Sequence, residues 1–251
     1  MGKFFTVTKK IEIAASKQHA EAFAAGDVIT DWTPIQIPRG SACLRSMAML
    51  VRPKGDASPT GQTIAADIIF SKTNTVSLGA VNTTNVHVPN PDIIGVIEIE
   101  AGNYAANSLQ STAVATTSTQ GDGAGAAVPL ILEGLPTSGD NVGYDTVHVA
   151  VLCRSAFDMR TLLRLNDGSG NMDVSVAGTT IAVNGSGMDV REHFAAGDIL
   201  HAHDDAVIGT VSSLTDANDL ELTSNFTADA LADDDFVFNL HPITLVLGFE
   251  K

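Results

Sequence analysis

Thr146-Val147-His148-Val149-Ala150-Val151-Leu152-Cys153-Arg154 sets Val147, Val149, Val151 and Cys153 on one parity, the spacing that puts alternate side chains on one face of a sheet. It is the cleanest strand signal in the chain, and the same period recurs on both sides of it. Phe5, Val7, Ile11 and Ile13 share one parity, interrupted by Lys9; Ile64, Ala66, Ile68 and Phe70 share another; Ile93, Ile97 and Ile99 follow Pro89 and Pro91. Turn-rich stretches such as Arg52-Pro53-Lys54-Gly55-Asp56 and Pro136-Thr137-Ser138-Gly139-Asp140-Asn141 separate these runs. Ser111–Ala127, rich in Thr, Ser, Gly and Ala, reads as a long loop. Helix is expected only as short turns near Lys17–Phe23 and Asn103–Gln110. The pattern predicts an all-β protein whose main domain is a jelly-roll-like β-sandwich.

Charge divides the chain. Up to Leu165 there are 12 basic and 14 acidic residues, and beyond it 2 basic against 15 acidic. The junction Asn166-Asp167-Gly168-Ser169-Gly170-Asn171 has the composition of a domain boundary. Beyond it runs a second strand series: Met172, Val174 and Val176; Ile181 and Val183; Ile199 and Leu200; Val207–Val211; Leu220 and Leu222; Phe236, Phe238 and Leu240. Short strands at this spacing suit a small β-barrel-like module. The final run, Pro242-Ile243-Thr244-Leu245-Val246-Leu247-Gly248-Phe249, is apolar on both parities, so burial on both faces is expected. It is predicted to return to the first domain and pair with the 146–154 strand. The domains are then 1–165 with the returning 242–251, and an acidic module, 166–241, inserted before the last strand.

A nine-residue echo links the two parts: Glu21-Ala22-Phe23-Ala24-Ala25-Gly26-Asp27-Val28-Ile29 and Glu192-His193-Phe194-Ala195-Ala196-Gly197-Asp198-Ile199-Leu200. It is too short for a duplicated domain and reads as a shared local device, a Phe anchor and a Gly-Asp turn leading into a strand.

A net charge of −15 excludes an electrostatically driven nucleic-acid binder, which needs clustered Lys and Arg. No run of about eighteen apolar residues is available to cross a membrane, and Met1-Gly2-Lys3-Phe4-Phe5 is followed by polar residues rather than a signal-type apolar core. A soluble protein outside the secretory route is therefore expected. Cys43 and Cys153 have no metal-type spacing and read as buried thiols, with a long-range disulfide as the alternative.

Candidate chemistry is sparse. His201-Ala202-His203-Asp204-Asp205 reads as a polar hairpin tip on the acidic module, or, on a strand, as two imidazoles on one face with the Asp205 carboxylate nearby, a possible metal set. It resembles the His-x-His-x-Asp-His signature of metallo-β-lactamase-type hydrolases, but Ala206 replaces the last His and the αββα pattern is missing. Asp167, Ser169, Asn171 and Asp173 place oxygens at alternate positions as a calcium loop does, yet Met172 and Gly178 stand where an EF-hand needs Gly and Glu. Calcium is the one cofactor left open; otherwise none is expected. Asp233-Asp234-Asp235 reads as a solvated loop, and Gly121-Asp122-Gly123-Ala124-Gly125-Ala126 lacks the Gly-Lys-Ser/Thr of a phosphate cradle. Glu98 and Glu100 share one strand face, as glycosidase carboxylates can, or form the polar face of a half-exposed sheet. No Gly-x-Ser-x-Gly elbow exists, and an apolar strand around Cys153 would raise rather than lower its thiol pKa. The chain is read as a non-enzyme.

Ala195-Ala196-Gly197-Asp198-Ile199-Leu200, then Val207-Ile208-Gly209-Thr210-Val211-Ser212-Ser213-Leu214, then Asp219-Leu220-Glu221-Leu222-Thr223 resembles a small β module recurring in structural proteins of tailed bacteriophages. The likeness covers roughly residues 195–240. The Thr/Ser/Ala/Gly-rich, Lys-poor first region, with strands such as Thr146–Arg154, is similar in style to capsid decoration proteins and other virion proteins of marine phages, including cyanophages. The resemblance implies a capsid decoration or cement protein, made in the host cytoplasm and carried on the capsid surface. It implies the major capsid protein and sister copies, commonly as a homotrimer, as partners, with neither nucleic acid nor membrane. A tail, neck or baseplate component, a calcium-dependent glycan-binding module, and an enzyme using His201, His203 and Asp205 are the alternatives. The terminal odd-parity strand through Ile13 is expected to mediate contact between subunits.

Overall fold

The computed structural model describes residues 2–20, 22–52, 62–85, 92–104, 113–116, 130–136, 144–159, 178–182, 189–217, 219–225 and 237–251. In chain order these form β1 (Phe4–Ile11), α1 (Ala15–His19), β2 (Val28–Pro38), β3 (Ala42–Val51), β4 (Ala66–Ser71), β5 (Ile93–Ile99), β6 (Ala113–Thr116), β7 (Leu130–Leu132), β8 (Leu135–Pro136) and β9 (Tyr144–Cys153). There follow β10 (Thr180–Ala182), α2 (Val190–His193), β11 (Ile199–Ala202), β12 (Val207–Leu214), β13 (Asp219–Leu222), β14 (Val237–Asn239) and β15 (Ile243–Glu250). The protein is all-β and sandwich-like. Short helical turns occur at α1, at Ala101–Asn103, and at α2, which the sequence did not signal.

Two antiparallel sheets face one another. The first runs β1-β15-β3-β6 with β7 also on β3; the second runs β2-β9-β4-β5 with β8 also on β9. Alternation sends Ile11, Met47, Met49, Leu245, Leu247 and Phe249 inward from the first sheet. Ile35, Ile37, Ile68, Phe70, Val147, Val149 and Val151 answer from the second, all in one buried cluster. Each such side chain contributes about 1.5–3 kcal/mol when fully buried, so this shared interior holds the sheets together.

The last strand returns to the sandwich but not to the predicted partner. β15 lies between β1 and β3, while β9 sits in the other sheet between β2 and β4. Both edges of the 146–154 strand are thus already saturated. Nor is β15 buried on both faces: Ile243, Leu245, Leu247 and Phe249 are buried, whereas Thr244, Val246 and Gly248 are only half covered. The N-terminal strand pairs within its own chain over its whole length, from Phe4 opposite Glu250 to Ile11 opposite Ile243.

β10 to β14 form a third antiparallel sheet, ordered β10-β13-β12-β11-β14, around a separate core of Ile181, Val190, Phe194, Leu200, Ala202, Ile208, Val211, Leu220, Leu222 and Val237. The strand expected at Met172–Val176 and the contribution of Phe236 lie outside the described residues. α1 joins this sheet to the sandwich. Gln18 Nε2 donates to the carbonyls of Ile13 (2.7 Å) and Asn239 (3.0 Å), and the Ile13 amide donates to Leu240 (2.8 Å). Arg52, at the end of β3, reaches Asp198 at 3.1 Å.

Candidate assembly surface

The two outer faces of the sandwich differ. On the second sheet, Val28, Ile69 and Ala150 form a small outer cluster with Leu78, Trp32 and Leu152. The segment through residues 72–85 covers it: Trp32 Nε1 donates to the Val76 carbonyl (2.7 Å), and the Leu78 amide donates to Asp31 Oδ1 (3.0 Å). The first sheet has no such cover among the described residues. Its outer face carries Phe4, Thr6, Thr8 and Lys10 from β1, all exposed, and Thr244, Val246, Gly248 and Glu250 from β15. Ser46, Ala48 and Leu50 continue it on β3 and Val114 on β6.

That face is nearly neutral. Arg45 is the extra residue at a β-bulge against Gly248/Phe249, and it turns its guanidinium onto Glu250 at 2.6 Å. Among the described residues, Lys10 is then the one charge of the face with no ion pair on it. Phe4 and Ile131, 75% and 69% exposed, are the two most exposed large apolar side chains among the described residues. Register places them in one cross-strand row, Phe4–Glu250–Cys43–Ile131. The acidic side chains of the small module, including Asp204, Asp205, Asp216, Asp219 and Glu221, lie on its own hairpins rather than on this face.

The predicted metal residues do not converge. β11 ends at Ala202, and the chain turns there, with the Ala202 amide donating to the Ala206 carbonyl (2.8 Å) and the Asp205 amide to the Ala202 carbonyl (3.1 Å). His201 and His203 therefore do not share one face of a continuous strand. His201 Nδ1 hydrogen-bonds the Asp205 carbonyl (3.1 Å), while the His203 ring lies 5.2 Å from that of His19 on α1. The Asp205 carboxylate accepts from the Ser16 amide (2.9 Å) and hydroxyl (2.6 Å). Burial works against its ionisation, but the Ser16 bonds prevail and hold its pKa below the ordinary value. Among the described residues no group of three or more His, Cys, Asp or Glu side chains is placed to hold a metal ion. Asp167, Ser169, Asn171, Asp173, Asp233-Asp234-Asp235 and Gly121–Ala126 lie outside the described residues.

Glu98 and Glu100 belong to a charge cluster instead. Arg154, just past β9, reaches Asp67 on β4 at 2.8 Å, Glu98 at 3.2 Å and Glu100 at 2.7 Å. No spacing in the sequence points to Arg154, because the three carboxylates meet it only once β9, β4 and β5 are aligned. Cys43 and Cys153 are both free, one on each sheet, so no disulfide joins them. The Cys153 Sγ donates to the Ser155 carbonyl (2.8 Å), and burial pushes its pKa up to about 11, the state of an unreactive thiol. This face, without cover among the described residues, is the feature least visible in sequence. Its signal is the even parity of Thr6, Thr8 and Lys10, but only the strand order shows that four strands continue it.

Comparisons of the chain with family models, with curated proteins and with solved structures return no match.

Proposed function

We propose that this chain is a non-enzymatic structural protein of a tailed-phage virion, a capsid decoration protein that braces capsomers through the outer face of the β1-β15-β3-β6 sheet. One observation carries the reading: a broad, nearly neutral sheet face, uncovered among the described residues, on a chain of net charge −15. A large uncharged face is where a protein partner can bind without desolvating charge. The acidic module then points away from the shell, where its charge keeps the particle soluble. The resemblance of residues 195–240 to phage modules supplies the setting: the capsid surface, the major capsid protein as partner, and sister copies around local threefold positions.

Scale supports several copies acting together. Four strands about 4.8 Å apart and about eight residues long at roughly 3.4 Å each give a flat footprint on the order of 400 Å². A standard interface takes about 800 Å² from each partner. One copy alone is therefore a weak binder, and a cluster of copies gains from multivalency.

The test is addition of the purified chain to decoration-free heads of the phage that encodes it, read by co-sedimentation and cryo-electron microscopy. Density on the shell, with the small module outermost, is the expected result. Ala48→Glu and Val246→Glu, which charge the middle of the face, are expected to weaken binding at least tenfold in chains that remain folded. Density confined to the tail, or binding that both variants leave unchanged, would overturn the reading.

A further inference from the structure

Among the described residues the first sheet ends at β1 and at the short β6 and β7, and the second at β2 and β5, with the two-residue β8 beside β9; β2 carries Pro34 and Pro38, so β1 and β5 are the long end strands without proline. β1 runs beside β2 and β5 beside β7, without a ladder in either case, so the edges lie on opposite sides of the sandwich. Lys3 and Lys251 exchange both backbone hydrogen bonds at 2.9 Å. The alternation of an antiparallel ladder then turns the N–H and C=O of Phe4, Thr6, Thr8 and Lys10 outward. On the far side, the Arg154 amide donates to the Ala65 carbonyl, which fixes the alternation along β4. The backbone groups of Val96 and Glu98 consequently face away from β4, up to the bulge at Ile94.

An open edge invites another strand unless charge, proline or a bulge protects it. β5 lacks Lys and Pro; it has a bulge at Ile94 near its start and Glu98 near its end, but from Gly95 to Ile99 its ladder is regular, and its Val96 is 47% exposed. β1 carries Lys9 on the inward parity and Lys10 beside it, which opposes indiscriminate pairing. The charges that reject like strands select an unlike one. Two β1 strands paired antiparallel would bring Lys3 of one toward Lys10 of the other. Two β5 strands about Val96 would bring Asp92 toward Glu100. An antiparallel β1–β5 pair, with Thr6 opposite Val96, sets Lys3 beside Glu98 and Glu100 and brings Lys10 toward Asp92, which lies past the bulge at Ile94.

We propose that β1 of one copy adds to the open edge of β5 on the next copy, joining chains head to tail. Because the edges lie on opposite sides, the contact is heterologous, and it generates a closed ring or an open row according to the rotation between copies. The contact adds to the decoration reading, since a ring of three fits a threefold position, but it uses strand edges rather than the sheet face and needs no shell.

The experiment mixes two singly substituted chains, Thr6→Cys and Val96→Cys, each in a Cys43→Ser background, and treats them with a short bis-maleimide. Both substituted positions are exposed, and circular dichroism checks that each chain is folded. A cross-linked dimer is expected in the mixture and in neither chain alone, together with a native mass above that of the monomer for the unsubstituted protein. Cross-linking of Thr6→Cys alone would mean β1–β1 pairing, and of Val96→Cys alone β5–β5 pairing; either result, a cross-link in none of the samples, or a purely monomeric mass would overturn the proposal. A ring that forms yet fails to bind heads would sink the decoration reading and leave this contact standing.

Discussion

Asp198 holds in the small module the same turn that Asp27 holds in the sandwich. Asp27 Oδ2 accepts from the Ala24 amide at 2.7 Å, and Asp198 Oδ2 from the Ala195 amide at 3.0 Å. The preceding glycines have φ of +90° and +91°. Each turn then clasps one residue of a neighbouring strand. Gly26 donates to the Cys153 carbonyl (2.7 Å) and Cys153 donates back to Asp27 (2.8 Å), while Gly197 and Asp198 do the same with Val211, at 2.8 Å both ways. The repeated Phe-Ala-Ala-Gly-Asp is thus a device that launches a strand at a fixed register, used once in each core.

Gly26→Ala and Gly197→Ala should each cost about 1–2 kcal/mol, the strain of a left-handed Cβ. Crowding adds little, since a Cβ on Gly197 meets nothing within 4 Å and one on Gly26 only Asn85 at 3.5 Å. Urea unfolding of the two variants checks this, and an unchanged midpoint in both would refute the role of the turn.

The two aspartates differ in one respect. Asp198 also takes the Arg52 guanidinium, with side chains only 8% and 25% exposed, whereas no ion pair to Asp27 is seen among the described residues. Asparagine retains an oxygen for the turn but removes the charge. Asp198→Asn should therefore destabilise by about 1–3 kcal/mol, with Asp27→Asn closer to neutral. Equal losses in the two variants would show that the ion pair between sandwich and module adds nothing.

Much of the fold could be read from period two alone. Val147, Val149 and Val151 are buried together with Ile35, Ile68 and Phe70 because alternation decides which side chains face the interior. Which strand pairs with which was not readable. Nothing local in the sequence pairs β15 with β1 and β3 rather than with β9, because that register depends on contacts across the whole chain. At His201–His203 the hairpin-tip reading matches the turn that joins β11 and β12, and the shared strand face of the alternative is absent for a local reason. A shared face needs a continuous strand, while the turn after Ala202 sends His203 toward His19 and gives the Asp205 carboxylate to Ser16. No local pattern marks Arg154, because its three partners come from β4 and from the end of β5.

Acid should loosen the fold through two histidines. Burial lowers the pKa of His148 on β9, against the Lys72 carbonyl, which favours the charged form. Burial lowers that of His241 as well, helped by Lys10 and Arg52 and opposed by Glu12 and Asp198. A base with a depressed folded pKa stays neutral in the native state while the unfolded chain takes up the proton. The stability it contributes is complete above about pH 6.5 and is lost as pH falls through the depressed values. Asp189, held low first by its Arg191 hydrogen bond, and Asp205, held low by Ser16, titrate in a more acidic range. The fall in Tm between about pH 7.5 and 5.5 should shrink in His148→Gln and His241→Gln; an undiminished fall in the double variant would rule these groups out.

Arg154 is the cation on which β4, β5 and β9 converge, with Asp67, Glu98 and Glu100 around it and its side chain 29% exposed. Arg154→Met preserves much of the side-chain volume but leaves three carboxylates facing one another at the edge of the sheet. A loss of about 1–3 kcal/mol is expected, because hydrogen bonds to charged groups contribute more than neutral ones. The sign of the salt response separates this from a packing defect. Repulsion among the uncompensated carboxylates is screened by added salt, so the variant should gain more stability than the parent as ionic strength rises. Glu98→Gln or Glu100→Gln in the Arg154→Met background should restore part of the loss by removing one of the repelling charges. If the variant showed no excess salt response and neither second substitution helped, the cluster would be a surface ornament with no part in holding β5 to β4.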